Sequence, residues 1–185
     1  MQNLDKIMID KLIETAIEQL KFSYTPYSNF KVGAALLAKN GEIYTGCNIE
    51  NAAYTPTNCA ERTVFFKAVS EGIKEFDAIC IVGGKDGVLT EYAAPCGVCR
   101  QVMMEFCNPE TFKIILAVDK DHYDVYTLKE LLPQGFGPLN LAFRGDLSRS
   151  KLDSSCLCMV PLLSLIHPSI PDTNLHLNYT FSLQS

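Results

Sequence analysis

Two short stretches constrain this chain more than any others: Asn58-Cys59-Ala60-Glu61-Arg62 and, downstream, Pro95-Cys96-Gly97-Val98-Cys99-Arg100. Each reads as the first turn of a helix, so the fold has to bring two helix starts together. Three thiols meeting there, with a carboxylate beside the first, are the parts of a catalytic zinc site. Zinc favours thiolate and imidazole ligands, and a catalytic site keeps three protein ligands and leaves the fourth position to water. The positive ends of two helix dipoles lower thiol pKa values and hold thiolate charge. Glu61, two residues past Cys59, is placed to lean over the metal as a proton carrier instead of binding it.

A Cys-x-x-Cys pair alone fits a structural metal, a redox pair or simple packing equally well. The competing arrangement is a four-cysteine site completed by Cys47, Cys107 or a cysteine of the tail. Such a site closes the metal to water. It also leaves Glu61, and the neighbouring polar pair Asn48 and Glu50, without a task.

The 185 residues suit one domain plus a modest extension, with 48% hydrophobic residues for its core. Sixteen basic against 21 acidic residues give a formal charge of -5, and no basic stripe tracks a phosphate backbone, so nucleic acid is not expected as a substrate. Asp5, Lys6 and Asp10 interrupt the first residues, which resemble neither a secretory signal nor a transit peptide. No apolar run approaches the roughly 20 residues that span a bilayer. A soluble, cytoplasmic protein with reduced thiols is the expectation for the eight cysteines.

Apolar residues at Leu4, Ile7, Met8, Leu12, Ile13, Ala16, Ile17 and Leu20 predict one helical stripe over Leu4 to Phe22. Pro26 breaks it. Lys31 to Lys39 and Glu42 to Cys47, joined by Asn40-Gly41, predict an antiparallel hairpin with a two-residue turn. Asn48 and Glu50 then share one side of the chain if it stays extended. A helix follows from about Cys59 to Ser70, capped by Asn58 or Thr57, then a central strand over Phe76 to Val82. Pro95 opens a second helix carrying Val102, Met103 and Phe106 inward, and Asn108-Pro109 stops it. Lys113 to Val118 and Tyr123 to Tyr126 read as strands, and Thr127-Leu128-Lys129-Glu130 as a capping box. Helices alternating with strands predict a three-layer α/β/α sandwich around a mixed central sheet.

On the paired motifs the chain resembles the short, three-cysteine cytidine deaminases, from about Met8 to Leu141. Cys59 stands where many deaminases have histidine, which is the pattern of the small free-nucleoside enzymes. The resemblance implies the same α/β/α fold, one zinc per subunit held by Cys59, Cys96 and Cys99, and Glu61 as the proton-transfer residue. It implies deamination of cytidine and 2'-deoxycytidine. It places Phe30 against the pyrimidine, Tyr54 in the site wall, the Ala60 N–H on the base O2, and Asn48 and Glu50 on the ribose hydroxyls. It also implies a homotetramer in which Phe136 reaches a neighbouring subunit's site. Phe30, Tyr54 and Phe136 owe these roles to the resemblance alone. Arg62, otherwise a solvated helix residue, would offset the excess negative charge of three thiolates by donating to their sulfurs.

Residues 142–185 fall outside the resemblance: a basic, serine-rich link leads to the apolar run Cys156 to Ile166 and three prolines. The expected organisation is therefore a deaminase domain over 1–141 and an atypical tail over 142–185. Other readings of the motifs are a deaminase of a cytosine-bearing antibiotic such as blasticidin S, a non-catalytic structural zinc module and, least in keeping with the acidic charge, a polynucleotide-editing enzyme. The run from Asn48 to Asn51 matches the nucleoside enzymes.

Overall fold

The structure is a computed structural model that describes residues 4–141. The tail over 142–185 lies outside the described residues.

Asp5 caps the first helix, α1 (Lys6–Gln19), its carboxylate accepting the Met8 N–H at 2.9 Å, and a 3-10 turn (Leu20–Phe22) closes it. Ile9, Leu12, Ile13 and Ala16 form its buried stripe. Ile7, expected in that stripe, lies half a turn away from it and is 78% exposed. β1 (Phe30–Ala38) and β2 (Ile43–Cys47) make the antiparallel hairpin. Its turn is one residue longer than expected: the Ala38 N–H donates to the Glu42 carbonyl and the Gly41 N–H to the Ala38 carbonyl, both at 2.9 Å. Gly41 takes a φ of 90°, so the connection is a turn closed by a left-handed glycine, not a two-residue primed turn.

α2 (Ala60–Ser70), β3 (Phe76–Lys85), α3 (Gly97–Phe106), β4 (Lys113–Ala117) and β5 (Tyr123–Thr127) follow. α4 (Leu128–Leu131) begins with the predicted capping box, both of its reciprocal bonds made by Thr127 and Glu130, and α5 (Pro138–Leu141) is a single turn. The strands form one sheet in the order β2-β1-β3-β4-β5, with β3 and β4 parallel and the other pairs antiparallel. β3 is the central strand, as its apolar run predicts, and α3 is the crossover that the parallel pair requires.

Alternation along the strands divides the core. Ala35, Leu37, Ala78, Cys80, Val82 and Ile115 face α1. Ala34, Leu36, Ile79, Ile81, Ile114 and Leu116 face α2 and α3. The expected helix–sheet–helix layering with a mixed sheet is thus present. Two glycines set the depth of the layers. A Cβ on Gly33 would fall on the Ala16 carbonyl of α1, and one on Gly46 would stand 2.7 Å from the Val64 nitrogen and 2.8 Å from the Ala60 carbonyl of α2. Among the described residues no helix is long and apolar enough to cross a membrane.

Candidate active site

The site is assembled where β2 ends and α2 begins. Ile49 pairs with Asn58 through two backbone hydrogen bonds of 2.9 Å, one in each direction, and also bridges Tyr24. This short ladder holds Asn48 and Glu50 beside Cys59. It also decides which residue caps α2. Asn58 is committed to the ladder and its side-chain amide donates to Thr63 Oγ1 at 3.0 Å, so Cys59, not Asn58 or Thr57, occupies the cap. Cys96 does the same for α3. Both cap residues are extended, with φ near -70° (-75° and -68°), and neither sulfur accepts a capping hydrogen bond from the backbone N–H groups of its own helix. A thiol is a weak acceptor. Both sulfurs are left free to cluster with that of Cys99.

The Sγ atoms of Cys59, Cys96 and Cys99 all lie within 4.8 Å of one another, and the Cys96–Cys99 pair is 3.4 Å apart. Three sulfurs at ~2.3 Å from one tetrahedral zinc stand ~3.8 Å apart, so the trio fits that ion. Among the described residues no fourth histidine, cysteine or carboxylate joins the cluster: Cys47 and Cys107 lie outside it. The tail cysteines, Cys156 and Cys158, lie outside the described residues.

Charge in the cluster settles on Cys59. Its pKa is lowered, first by a hydrogen bond from the Cys99 thiol and then by Arg62, whereas Cys99, which holds that proton in a buried position, is raised. Arg62 Nη2 donates to the Thr57 carbonyl at 3.0 Å and to Cys59 Sγ at 3.5 Å, which puts the guanidinium against the sulfur. Its buried Nε has no acceptor among the described residues. Glu61 is 5% exposed, and burial, with the Cys59 charge beside it, pushes its carboxyl up to about 7. A carboxyl group tuned to neutrality can take up and return a proton at working pH.

Phe30, Asn48, Glu50, Cys59, Glu61 and Cys96 all line one cleft of about 380 Å³. That is room for a small ligand. Tyr54 lines an adjoining recess of about 280 Å³ that shares Glu50 and Thr57 with the cleft. Tyr54 has a φ of 58°, a conformation that costs a bulky residue about 1–3 kcal/mol. Its ring is 6.2 Å from that of Tyr27. Asn48 and Glu50 do share a side, and each also fastens backbone. Asn48 accepts from the Val32 N–H at 2.9 Å and donates to the Phe30 carbonyl at 2.8 Å. Glu50 accepts from the Tyr27 and Ser28 N–H groups at 2.9 and 3.2 Å. Hydrogen bonds from Ser28 and Tyr27 hold its carboxyl below the usual range.

Ala60 is fully buried at the first helical position of α2, where its N–H has no partner within the helix. Phe136 lines neither cavity. It is 56% exposed, and its carbonyl accepts from Gln101 Nε2 at 2.7 Å. Two residues went unassigned in the sequence. Tyr92 lines the cleft from the irregular stretch before Pro95. Arg100 stands in the quoted motif and bonds two main-chain carbonyls.

Comparison with known proteins agrees with this geometry. Residues 7–115 match the family described as "Cytidine and deoxycytidylate deaminase zinc-binding region". The chain is 46% identical over 138 residues to a cytidine deaminase of Sporosarcina psychrophila, covering 75% of this chain and 98% of that one. It is 47% identical over 125 residues to one of Halalkalibacterium halodurans, covering 68% and 91%. Its fold is similar to the crystal structure of the Burkholderia pseudomallei cytidine deaminase, with a TM-score of 0.62 and 44% identity over 68% of this chain and 97% of that one. The structure of the Mycobacterium tuberculosis enzyme is similar as well, with a TM-score of 0.60 and 37% identity over 70% and 97%. Zinc-binding family and three-sulfur cluster coincide on the same residues, and the chain belongs to the cytidine and deoxycytidylate deaminase zinc-binding family.

Proposed function

We propose that this chain deaminates cytidine and 2'-deoxycytidine, with water, to uridine and 2'-deoxyuridine plus ammonia, as a cytoplasmic enzyme of pyrimidine salvage. The observation that carries the reading is a buried carboxyl, Glu61, set beside a three-sulfur cluster and facing a cleft lined by Phe30, Asn48 and Glu50. The activity named for the relatives supports it.

Cys59, Cys96 and Cys99 hold one zinc ion, and Arg62 offsets their negative charge. Bound zinc supplies Lewis acidity, which brings the pKa of water towards neutrality. Glu61 takes a proton from the attacking water and delivers it to ring nitrogen N3 as C4 is attacked. It then carries a proton to the departing amino group. The Ala60 N–H holds the base O2, Phe30 lies against the pyrimidine, and Tyr54 closes the wall. Asn48 and Glu50 bind the ribose hydroxyls with the hydrogen-bonding capacity left after their backbone contacts. Groups built to grip a hydroxyl reject analogues without one, so free cytosine is a poor substrate. The deaminase domain spans 1–141. A homotetramer completes each site with the exposed Phe136 of a neighbour.

The test is ammonia release from cytidine by the zinc-loaded chain, run beside Glu61→Ala of equal zinc content. Release by the first and none by the second is expected. No release by the loaded native chain would overturn the reading, and a mutant within tenfold of native would remove Glu61 from the chemistry.

A further inference from the structure

Arg100 directly follows Cys99, yet neither the sulfur cluster nor the cleft uses its charge. Among the described residues no carboxylate pairs with it. Its half-buried guanidinium instead spans two carbonyls from separate parts of the chain, Nε donating to Pro95 O and Nη1 to Leu131 O, each at 2.7 Å. Both acceptors lie at helix edges. Pro95 O sits one residue outside the hydrogen-bond ladder of α3, which begins with Arg100 N–H to Cys96 O at 3.0 Å. Leu131 O is at the last residue of α4, where carbonyls lack a helical partner. One residue thus holds two successive carbonyls, Pro95 O with its side chain and Cys96 O with its backbone, and Cys96 is one of the clustered thiols.

Of the three clustered thiols, Cys99 is buried, Cys59 half-buried and Cys96 exposed. Packing fixes the first two. Cys96 is the extended cap residue of α3, and its place depends on whatever fixes the segment that leads into the helix. We propose that Arg100 is a positioning residue for the zinc centre: by bridging Pro95 O to Leu131 O it fastens the extended segment bearing Cys96 to the capped α4 and so preorganises the third ligand. The proposal rests on the zinc reading of the trio but not on the identity of the substrate. A guanidinium suits the task because its donors diverge in a rigid fork, whereas a lysine ammonium keeps the charge and the stem but is a single point. Partners that orient metal ligands typically change metal affinity by about 10–100-fold when removed.

The experiment measures zinc transfer from the holoenzyme to a chromophoric chelator, at a temperature well below the melting point of each protein. Arg100→Lys should release zinc about tenfold faster than native, and Arg100→Gln, which can serve only one carbonyl, should do likewise. Cobalt substitution should show a disturbed sulfur-to-metal absorption in both variants. Gln101→Met removes the adjacent bond to Phe136 O but leaves the clamp intact, and should release zinc at the native rate. Native release rates in both Arg100 variants would overturn the proposal, as would an acceleration that Gln101→Met shares. Accelerated release in a chain that liberates no ammonia from cytidine would uphold this proposal while the deaminase reading fails.

Discussion

The two faces of the sheet meet the same packing problem with different residues. Beneath α1 the layer is aliphatic, with Leu12, Ile13 and Ala16 fully buried on alanine, leucine, isoleucine, valine and Cys80. Beneath α2 and α3 it is equally buried, with Phe65 packed edge-on against Phe76 at 5.0 Å. Yet the helix starts on that side add a carboxyl held near pH 7, a thiolate and an arginine nitrogen that has no partner among the described residues. Burying polar groups in this way costs stability unless they are paired. One face is built to hold the sheet, and the other gives up part of that stability to shape a reaction site.

Glu61→Gln should separate the two most sharply. In the zinc-loaded chain it should lower kcat about 10³-fold, about 4 kcal/mol of barrier, at unchanged zinc content. In the metal-free chain the same change should help. A carboxyl raised from 4.5 in the unfolded state to about 7 in the fold contributes stability that is intact below pH 4.5 and lost as pH rises through 7. Unfolding of the metal-free proteins should then show the glutamine variant more stable than native at pH 8 by about 3 kcal/mol and little different at pH 4.5. Equal stabilities at pH 8 would erase the contrast.

Leu12→Ala, on the opposite face, should cost about 3 kcal/mol in denaturant unfolding and leave kcat of the folded enzyme unchanged. A matching fall in kcat would mean that the faces are not separable. The paired glycines probe the comparison next. Gly33→Ala and Gly46→Ala each force a helix outward and should each lose about 1–3 kcal/mol of stability, but only Gly46→Ala, which presses on the Ala60 carbonyl, should lower zinc affinity. Smallest is Glu50→Ala, expected to raise KM for cytidine about tenfold, about 1.4 kcal/mol, with zinc content intact. Unchanged kinetics there would remove Glu50 from substrate binding.

Much of this was legible in the sequence because local chemistry and global fold agree. Proline and cysteine at the helix starts and the Thr127–Glu130 box each name their own structure, and Asn40-Gly41 names the hairpin, though not the length of its turn. The failures come where a distant partner decides. Asn58 has good cap chemistry, but Ile49 takes its backbone into a ladder. Ile7 fails for a local reason instead, fitting the apolar composition of α1 but not the angle of its stripe. Tyr92 lies in a stretch with no periodicity, and nothing local announces that it lines the cleft. Arg100 was visible in its motif, but its second acceptor, Leu131, lies on another helix.

The caps of α2 and α3 carry one further consequence. Cys59 belongs to one helix and Cys96 with Cys99 to the other, so a zinc ion held by all three is a reversible cross-link between segments well separated along the chain. A ligand that binds only the folded state stabilises it in proportion to the logarithm of its free concentration. The folded stability of this protein is therefore tied to zinc supply, and a chelator acts on it as a reductant acts on a disulfide-stapled domain.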